Sequence, residues 1–441
     1  MKPDFSKRNQ SSIETAWRFG DFELHPRERL LKRGGAPLTV QPKTFDALLL
    51  LVSRARHLVS KQELMARLWP DVHVSERNLT NTIVSLRKLL GRDAVRTVSK
   101  YGYRFEAALL GEPGVSTAFY ERFLRARQRI ERRSLEDMQD ARDLLSICLA
   151  EDPSFAQGWA WLGRCCWFLD KFGPRPSAGS QVAGAALRRA LVLDPDLTDA
   201  HQFSTFLEAD TGRAADAVER LLDRLQLRPR EPETYGSLVL ALRFQGLLDE
   251  SIEAHQRAVD LDPATLTSVA HTFFFKGDFA SAIEAYSGRA AWYLDAAAWA
   301  ALGHRDRAVR VLRQRLRKSS LSTVMTALMT SLLAILEDRT QHAVRAMESA
   351  EVTRDPEIVA YFARHYSFLG LHAAAAAALD RAAREGFICA PETLRGDPWL
   401  AALRKSPHFK SLLHQSEAHL KAARSRVTAR FRKAARGRTA Q

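Results

Sequence analysis

The sequence predicts an α-rich chain of two unlike parts: an N-terminal winged helix-turn-helix (α+β), then an all-α solenoid of stacked helical hairpins. Three observations predict this. Ser75–Phe105 reads as an amphipathic helix followed at once by a basic β-hairpin. Pro195, Pro229 and Pro263, spaced by 34 residues, lie near the ends of three similar phrases, RRALVLDPD, LDRLQLRPR and HQRAVDLDPA. Strand signals stop after residue 117, where alanine-rich helical sequence takes over to residue 415.

Taken in order, residues 1–16 form a polar, flexible arm. Trp17–Leu24, Glu28–Lys32 and Pro37–Val40 read as short strands, with Gly34-Gly35 turning the second into the third. Pro42 opens a helix that carries Phe45, Leu48, Leu49 and Val52 on one face. Ser60 caps a second helix, Lys61–Trp69, with Leu64 and Leu68 inward, and Pro70 stops it. After Trp69–Val74, Ser75 caps a third helix. Leu79, Ile83, Leu86 and Leu90 share its inner face, and Arg77, Asn81, Val84 and Lys88 its outer face, flanked by Asn78, Thr80 and Ser85. Gly91 ends it. Val95–Val98 and Tyr103–Phe105 are strands, with Ser99–Gly102 between them.

The outer face of the third helix is cationic and amide-rich, with no carboxylate near its centre. Such side chains hydrogen-bond base edges and phosphates in a major groove. NLTNTIVSLRKLLG and VRTVSKYGYRF resemble the end of the DNA-binding domain shared by OmpR/PhoB-type response regulators and CadC/ToxR-type regulators. The resemblance runs from Trp17 to Ala107. It implies double-stranded DNA as partner, with Arg77, Asn78, Thr80, Asn81, Ser85, Lys88, Lys100, Tyr101 and Arg104 as DNA-binding residues. The wing departs from the family: Tyr101 stands where an Arg commonly precedes the Gly. Lys100, Arg104 or Tyr101 then takes the contact in the minor groove or on the sugar-phosphate surface, and the three remain open. In the response regulators the loop matching Trp69–Val74 touches RNA polymerase; here it is that contact or a plain connector. No receiver-like domain precedes the winged one, so control by aspartyl phosphorylation is not carried over. The membrane anchor of CadC and ToxR is not carried over either. Its best candidate, Leu321–Leu336, has sixteen residues, short of the roughly 20 a span needs, and reads as a buried helix.

Past the winged domain (17–107) and a linker (108–117, ALLGEPGVST), residues 118–385 repeat. Five phrases share a Gly, a small residue five later and a larger one four after that: Gly212/Ala217/Leu221, Gly246/Ser251/His255, Gly277/Ala282/Tyr286, Gly303/Ala308/Leu312 and Gly370/Ala375/Leu379. A 34-residue helix–turn–helix period is the tetratricopeptide signature. One unit adds the family's first-helix marks, Trp159, Leu162 and Gly163, before an insertion at Lys171–Gln181. About seven hairpins are expected between Phe119 and Glu385. Residues 386–415 read as a cap on the last hairpin. Residues 416–441 read as a basic tail without an apolar face, which either adds sequence-independent phosphate contacts or is a solvated, disordered end.

The net charge of +15 sits at the ends: residues 1–110 hold 20 Lys and Arg against 11 Asp and Glu, and residues 404–441 hold 11 against 1. A polyanion partner is implied for those ends and not for the net-acidic middle. The four cysteines, Cys148, Cys165, Cys166 and Cys389, make no CxxC pair and suit buried thiols in a reducing cytoplasm. No nucleotide-binding, metal-protease or nucleophile-elbow motif occurs, and His255 and His271 fall at unrelated repeat positions. No catalytic residue, cofactor or metal is therefore expected. The reading is a bacterial, cytoplasmic, sequence-specific transcription regulator. Its repeats would serve a protein partner, self-association or sensing, away from any membrane. The alternative is a tetratricopeptide scaffold that its winged domain only tethers to DNA.

Overall fold

The computed structural model describes residues 16–26, 28–55, 57–69, 76–98, 101–107, 109–110, 117–132, 134–173, 178–286, 293–317, 323–349 and 355–435. The expected cap Ser75, most of the Trp69–Val74 connection and Lys100 lie outside them. Two compact units form: residues 1–132 with 143–155, and residues 133–142 with 156–441.

In the first unit, β1 (Trp17–Phe19), β2 (Phe22–His25), β3 (Leu30–Arg33) and β4 (Ala36–Leu38) make an antiparallel meander. The single strand expected over Trp17–Leu24 is a hairpin, because the chain turns at Gly20, whose φ is 55°. Gly34 and Gly35, both at positive φ, supply the two left-handed residues that a two-residue hairpin of this kind requires. Then come α1 (Pro42–Ser53), β5 (Leu58–Ser60), α2 (Lys61–Leu68), α3 (Glu76–Leu90), β6 (Val95–Val98), β7 (Gly102–Phe105) and β8 (Leu109–Leu110). β8 pairs with β1, so the meander extends to five strands, order β4-β3-β2-β1-β8. The segment expected as linker thus begins as sheet. β5, which the sequence does not announce, pairs with β7 in a second sheet, order β5-β7-β6. The Phe105 ring meets Phe19 edge-on at 5.1 Å and joins the two sheets. Phe45, Leu48, Leu64, Leu79, Ile83 and Leu86 fill the space between helices and are buried.

α4 (Thr117–Glu131) belongs to this unit as well. Asp46 of α1 accepts from Arg29 Nη1 at 2.7 Å and from Arg127 Nη1 of α4 at 3.4 Å. Arg29 holds a left-handed backbone (φ 49°), uncommon for a residue with a Cβ. Its side chain also donates to Pro42 O at 3.1 Å and stands over the Phe45 ring. Leu124 and Gln128 join Asp46, Leu50 and Leu68 around a crevice of about 30 Å³, room for about one water. After α5 (Leu135–Glu151), Phe155 closes the unit against Phe119 and Phe123, at 5.3 and 4.8 Å between ring centres.

Among the described residues the second unit carries seven hairpins. They are α6 (Ala156–Phe172) with α7 (Gly179–Leu193), α8 (Thr198–Asp210) with α9 (Ala214–Leu227), and α10 (Pro232–Phe244) with α11 (Leu248–Leu261). Next come α12 (Val269–Lys276) with α13 (Phe279–Tyr286) and α14 (Leu294–Ala301) with α15 (Arg305–Leu316). The last are α16 (Thr323–Leu336) with α17 (Thr340–Glu348) and α18 (Pro356–Phe368) with α19 (His372–Arg384). The five glycines of the repeat all occupy the hairpin turns with φ between 71° and 85°. Asp338 takes that place in the sixth hairpin at φ 58°, and Ala343 and Met347 follow at the same offsets, both buried. α16, the apolar stretch, is a buried helix. No helix among the described residues is long and apolar enough to cross a membrane.

The segment after α19 does more than cover the last hairpin. A Cβ on Gly386 would lie 2.3 Å from Gly212 Cα, so the two backbones touch at the α8/α9 turn. Ile388 N then donates to Phe244 O at 2.9 Å, and Thr393 Oγ1, in α20 (Pro391–Gly396), to Phe275 O at 2.5 Å. The array closes on its own second, third and fourth hairpins. α21 (His408–Ala435) corrects the expectation of a disordered tail. Leu420, Ala423, Val427 and Phe431 recur at helical spacing and pack with Val218, Leu222 and Ala254 of α9 and α11. Arg430 pairs with Glu219 and Asp223, and Arg424 with Asp249 and Glu250. The arginines that suggested a solvated end are in part the polar flank of a docked helix.

Candidate nucleic-acid interface

α3 is amphipathic, and its inner face decides which side chains reach solvent. Leu79, Thr82, Ile83 and Leu86 are buried. Thr82 donates its hydroxyl to Asn78 O at 3.0 Å, which lets a polar side chain sit on the inner face without an unmet bond. Leu90, expected inward, is only half-buried. Arg77, Thr80, Asn81, Val84, Ser85 and Lys88 are exposed, and Asn78 is half-buried at the edge. The one carboxylate of α3, Glu76, accepts from Lys61 Nζ at 2.6 Å, tying the start of α3 to the start of α2. That bond favours the charged ammonium and raises the Lys61 pKa.

Arg87 fixes the angle between helix and wing. It donates through Nε to Val95 O at 2.9 Å and through Nη2 to Thr97 Oγ1 at 2.6 Å. The structure makes Arg87 the brace between α3 and β6. Tyr101 begins β7's approach, 67% exposed, with its N–H on Val98 O and its carbonyl on Lys61 N, both at 3.0 Å. Gly102 follows where a Cβ would sit 2.1 Å from Val59 O. Only a residue without Cβ lets β7 lie this close to β5.

Arg104 is not at the wing tip. It lies in β7 opposite Arg96 of β6, half-buried, with Nε on Glu106 Oε1 at 2.7 Å. Arg96, which the sequence reading passes over, is exposed at that cross-strand position. Strand register, invisible before pairing is known, was the missing signal. The surface thus presents Arg77, Asn81, Ser85 and Lys88 from the helix and Tyr101 and Arg96 from the wing. Among the described residues no group of three His, Cys, Asp or Glu is placed to hold a metal ion. His271 Nδ1 instead meets Glu357 and the Tyr361 hydroxyl, and His255 Nδ1 meets Thr267 Oγ1.

The family described as "Transcriptional regulatory protein, C terminal" matches residues 35–105. The transcriptional regulator HilA of Salmonella typhimurium is 35% identical over 91 residues, which is 20% of this chain and 16% of HilA. The chain therefore matches only a small part of that relative. Among solved structures, the DNA-binding domain of E. coli CadC is 25% identical, covering 22% of this chain and 97% of that one, with a TM-score of 0.21. The APC/C hetero-tetramer Cut9-Hcn1 is 14% identical, covering 89% of this chain and 72% of that one, with a TM-score of 0.48.

Proposed function

We propose, on the premise that residues 35–105 are an OmpR/PhoB-type domain of transcriptional regulators, that the chain is a bacterial, cytoplasmic, sequence-specific DNA-binding regulator. The observation that carries this is the exposed face of α3, where Arg77, Asn81, Ser85 and Lys88 stand clear while Glu76 is held by Lys61. α3 enters the major groove, with Asn81 and Lys88 at the centre of base readout and Arg77 in support. Asn78, Thr80 and Ser85 contact the edges of the same groove, and Tyr101 meets the sugar-phosphate surface beside Lys100. Arg104 steadies the wing through Glu106 and leaves Arg96 for phosphate. The repeats supply protein contacts, self-association or sensing, and RNA polymerase is a candidate partner of the segment between α2 and α3.

The test is binding of the full chain to genomic promoter fragments at several salt concentrations, followed by Asn81→Ala on a randomised site library. A specific regulator shows a large ratio of specific to nonspecific affinity; a tethered scaffold shows little. Asn81→Ala should fold normally and lose about 1–3 kcal/mol of discrimination at one or two base positions. A folded variant that keeps the wild-type base preferences would show that another face reads the bases.

A further inference from the structure

We propose that Val84 is a specificity-determining contact of α3 that reads the 5-methyl group of a thymine. The inference rests on the DNA-binding reading above and extends it to one base. Val84 is 42% exposed in the middle of a face that is otherwise polar, with Asn81 three residues before it and Lys88 four after, its neighbours on the helix surface. The core side of α3 is already filled by Leu79, Ile83 and Leu86, so Val84 has no packing task there. It does not favour the helix either: a β-branched residue on an exposed helix position is less favourable than alanine.

The polar groups around it leave an apolar step. Thr80, one turn earlier, donates its hydroxyl to Glu76 O at 2.9 Å, so that donor is engaged by the helix itself. Between the Asn81 amide and the Lys88 ammonium the surface offered to a groove is the pair of Val84 methyls beside the Ser85 hydroxyl. The edges of the four base pairs present hydrogen-bonding atoms in the major groove, and thymine alone adds a methyl. An isopropyl group there gains from meeting that methyl and gains nothing from a polar edge, so it favours T over C and over uracil.

The experiment uses the full chain and the duplex it selects from genomic fragments, with each dT replaced singly by dU. Wild type should bind about fourfold more weakly at one or two of these positions, the value of one methyl removed from water. Val84→Ala should bind the dT and dU duplexes alike at those positions and leave every other base preference unchanged. Indifference of wild type to dU at every position overturns the proposal while leaving the DNA-binding reading intact. So does discrimination that persists in Val84→Ala. A chain that selects no duplex at all overturns both.

Discussion

Removing the Asp46 carboxylate should detach α4 from the winged domain. Asp46, Arg29 and Arg127 are each less than one-fifth exposed, and Lys43 adds a further positive charge nearby. Burial pushes the Asp46 pKa up, but Arg29, then Arg127 and Lys43, outweigh it and hold the carboxyl well below the usual carboxylate range. Asp46→Ala therefore leaves Arg29, Arg127 and Lys43 together, with Glu131 as a remaining carboxylate beside Lys43. Breaking a buried pair from one side costs about 3–5 kcal/mol, and the residual exposure here argues for about 3. That is roughly a hundredfold in a local opening equilibrium. The assay is hydrogen exchange read on peptides from α1 and α4: Asp46→Ala should speed exchange in both, and Asp46→Ala with Arg127→Met should recover part of the loss. The sign with pH follows from the depressed value. The contribution is complete above the ordinary value of 3.8 and is lost as pH falls through the lower folded-state one. Unchanged exchange across residues 117–131 in Asp46→Ala would refute the reasoning.

Phe431 is fully buried, so Phe431→Ala should destabilise the second unit by about 3 kcal/mol, measured by urea unfolding of the full chain; a loss under about 0.5 kcal/mol would mean α21 is not docked. Gly102→Ala drives a Cβ to 2.1 Å from Val59 O and should cost about 1–3 kcal/mol by overpacking, seen as a lower melting temperature and faster exchange in β5 and β7. Asp210 shares Lys171 with Asp355, at 2.8–3.0 Å; burial raises its pKa to about 6 despite Lys171. The folded state then holds a proton that the unfolded state has released between pH 3.8 and about 6, so stability from this group falls as pH rises through that window. Melting profiles against pH should lose that slope in Asp210→Asn.

What the sequence showed clearly was periodic. α3 needed only the spacing of Leu79, Ile83 and Leu86, and the five repeat glycines mark turns because a left-handed residue must sit there. Asp338 went unseen because the rule was read as a residue type, whereas the turn asks for a backbone conformation that Asp tolerates at a cost. β5 and β8 were missed because three and two residues carry no alternation, and their pairing with β7 and β1 is nonlocal. α21 was missed for a different reason. Its stripe of Leu420, Ala423, Val427 and Phe431 is narrow and includes an alanine, so the arginines around it dominated the reading. Where Arg104 points, and that Arg87 is a brace, depend on register and on neighbours eight or more residues away.

The closure of the second unit bears on how its repeats can serve a partner. Charged side chains that an open array could offer to a peptide are used inside this one. Arg243 donates to Glu357 at 3.0 Å and to Ser268, so α10 and α18 are joined across 114 residues. Lys171 bridges Asp210 of α8 and Asp355, which also caps α18. Arg364 of α18 holds Asp397 in the segment that runs back over the hairpin turns. A partner competing for any of these groups would have to replace a buried ion pair and leave its mate unmet, a loss of several kcal/mol before any gain. A single buried cluster of this kind could be a local accident of packing. Three, each with one member on α18 or at its N-cap (Glu357, Asp355 and Arg364), make α18 the piece on which closure depends. Opening the array to a ligand would therefore be an all-or-none step that releases α18, whereas a partner docking on exposed helix faces need disturb none of them. The second mode meets the lower barrier, because it leaves these buried pairs in place.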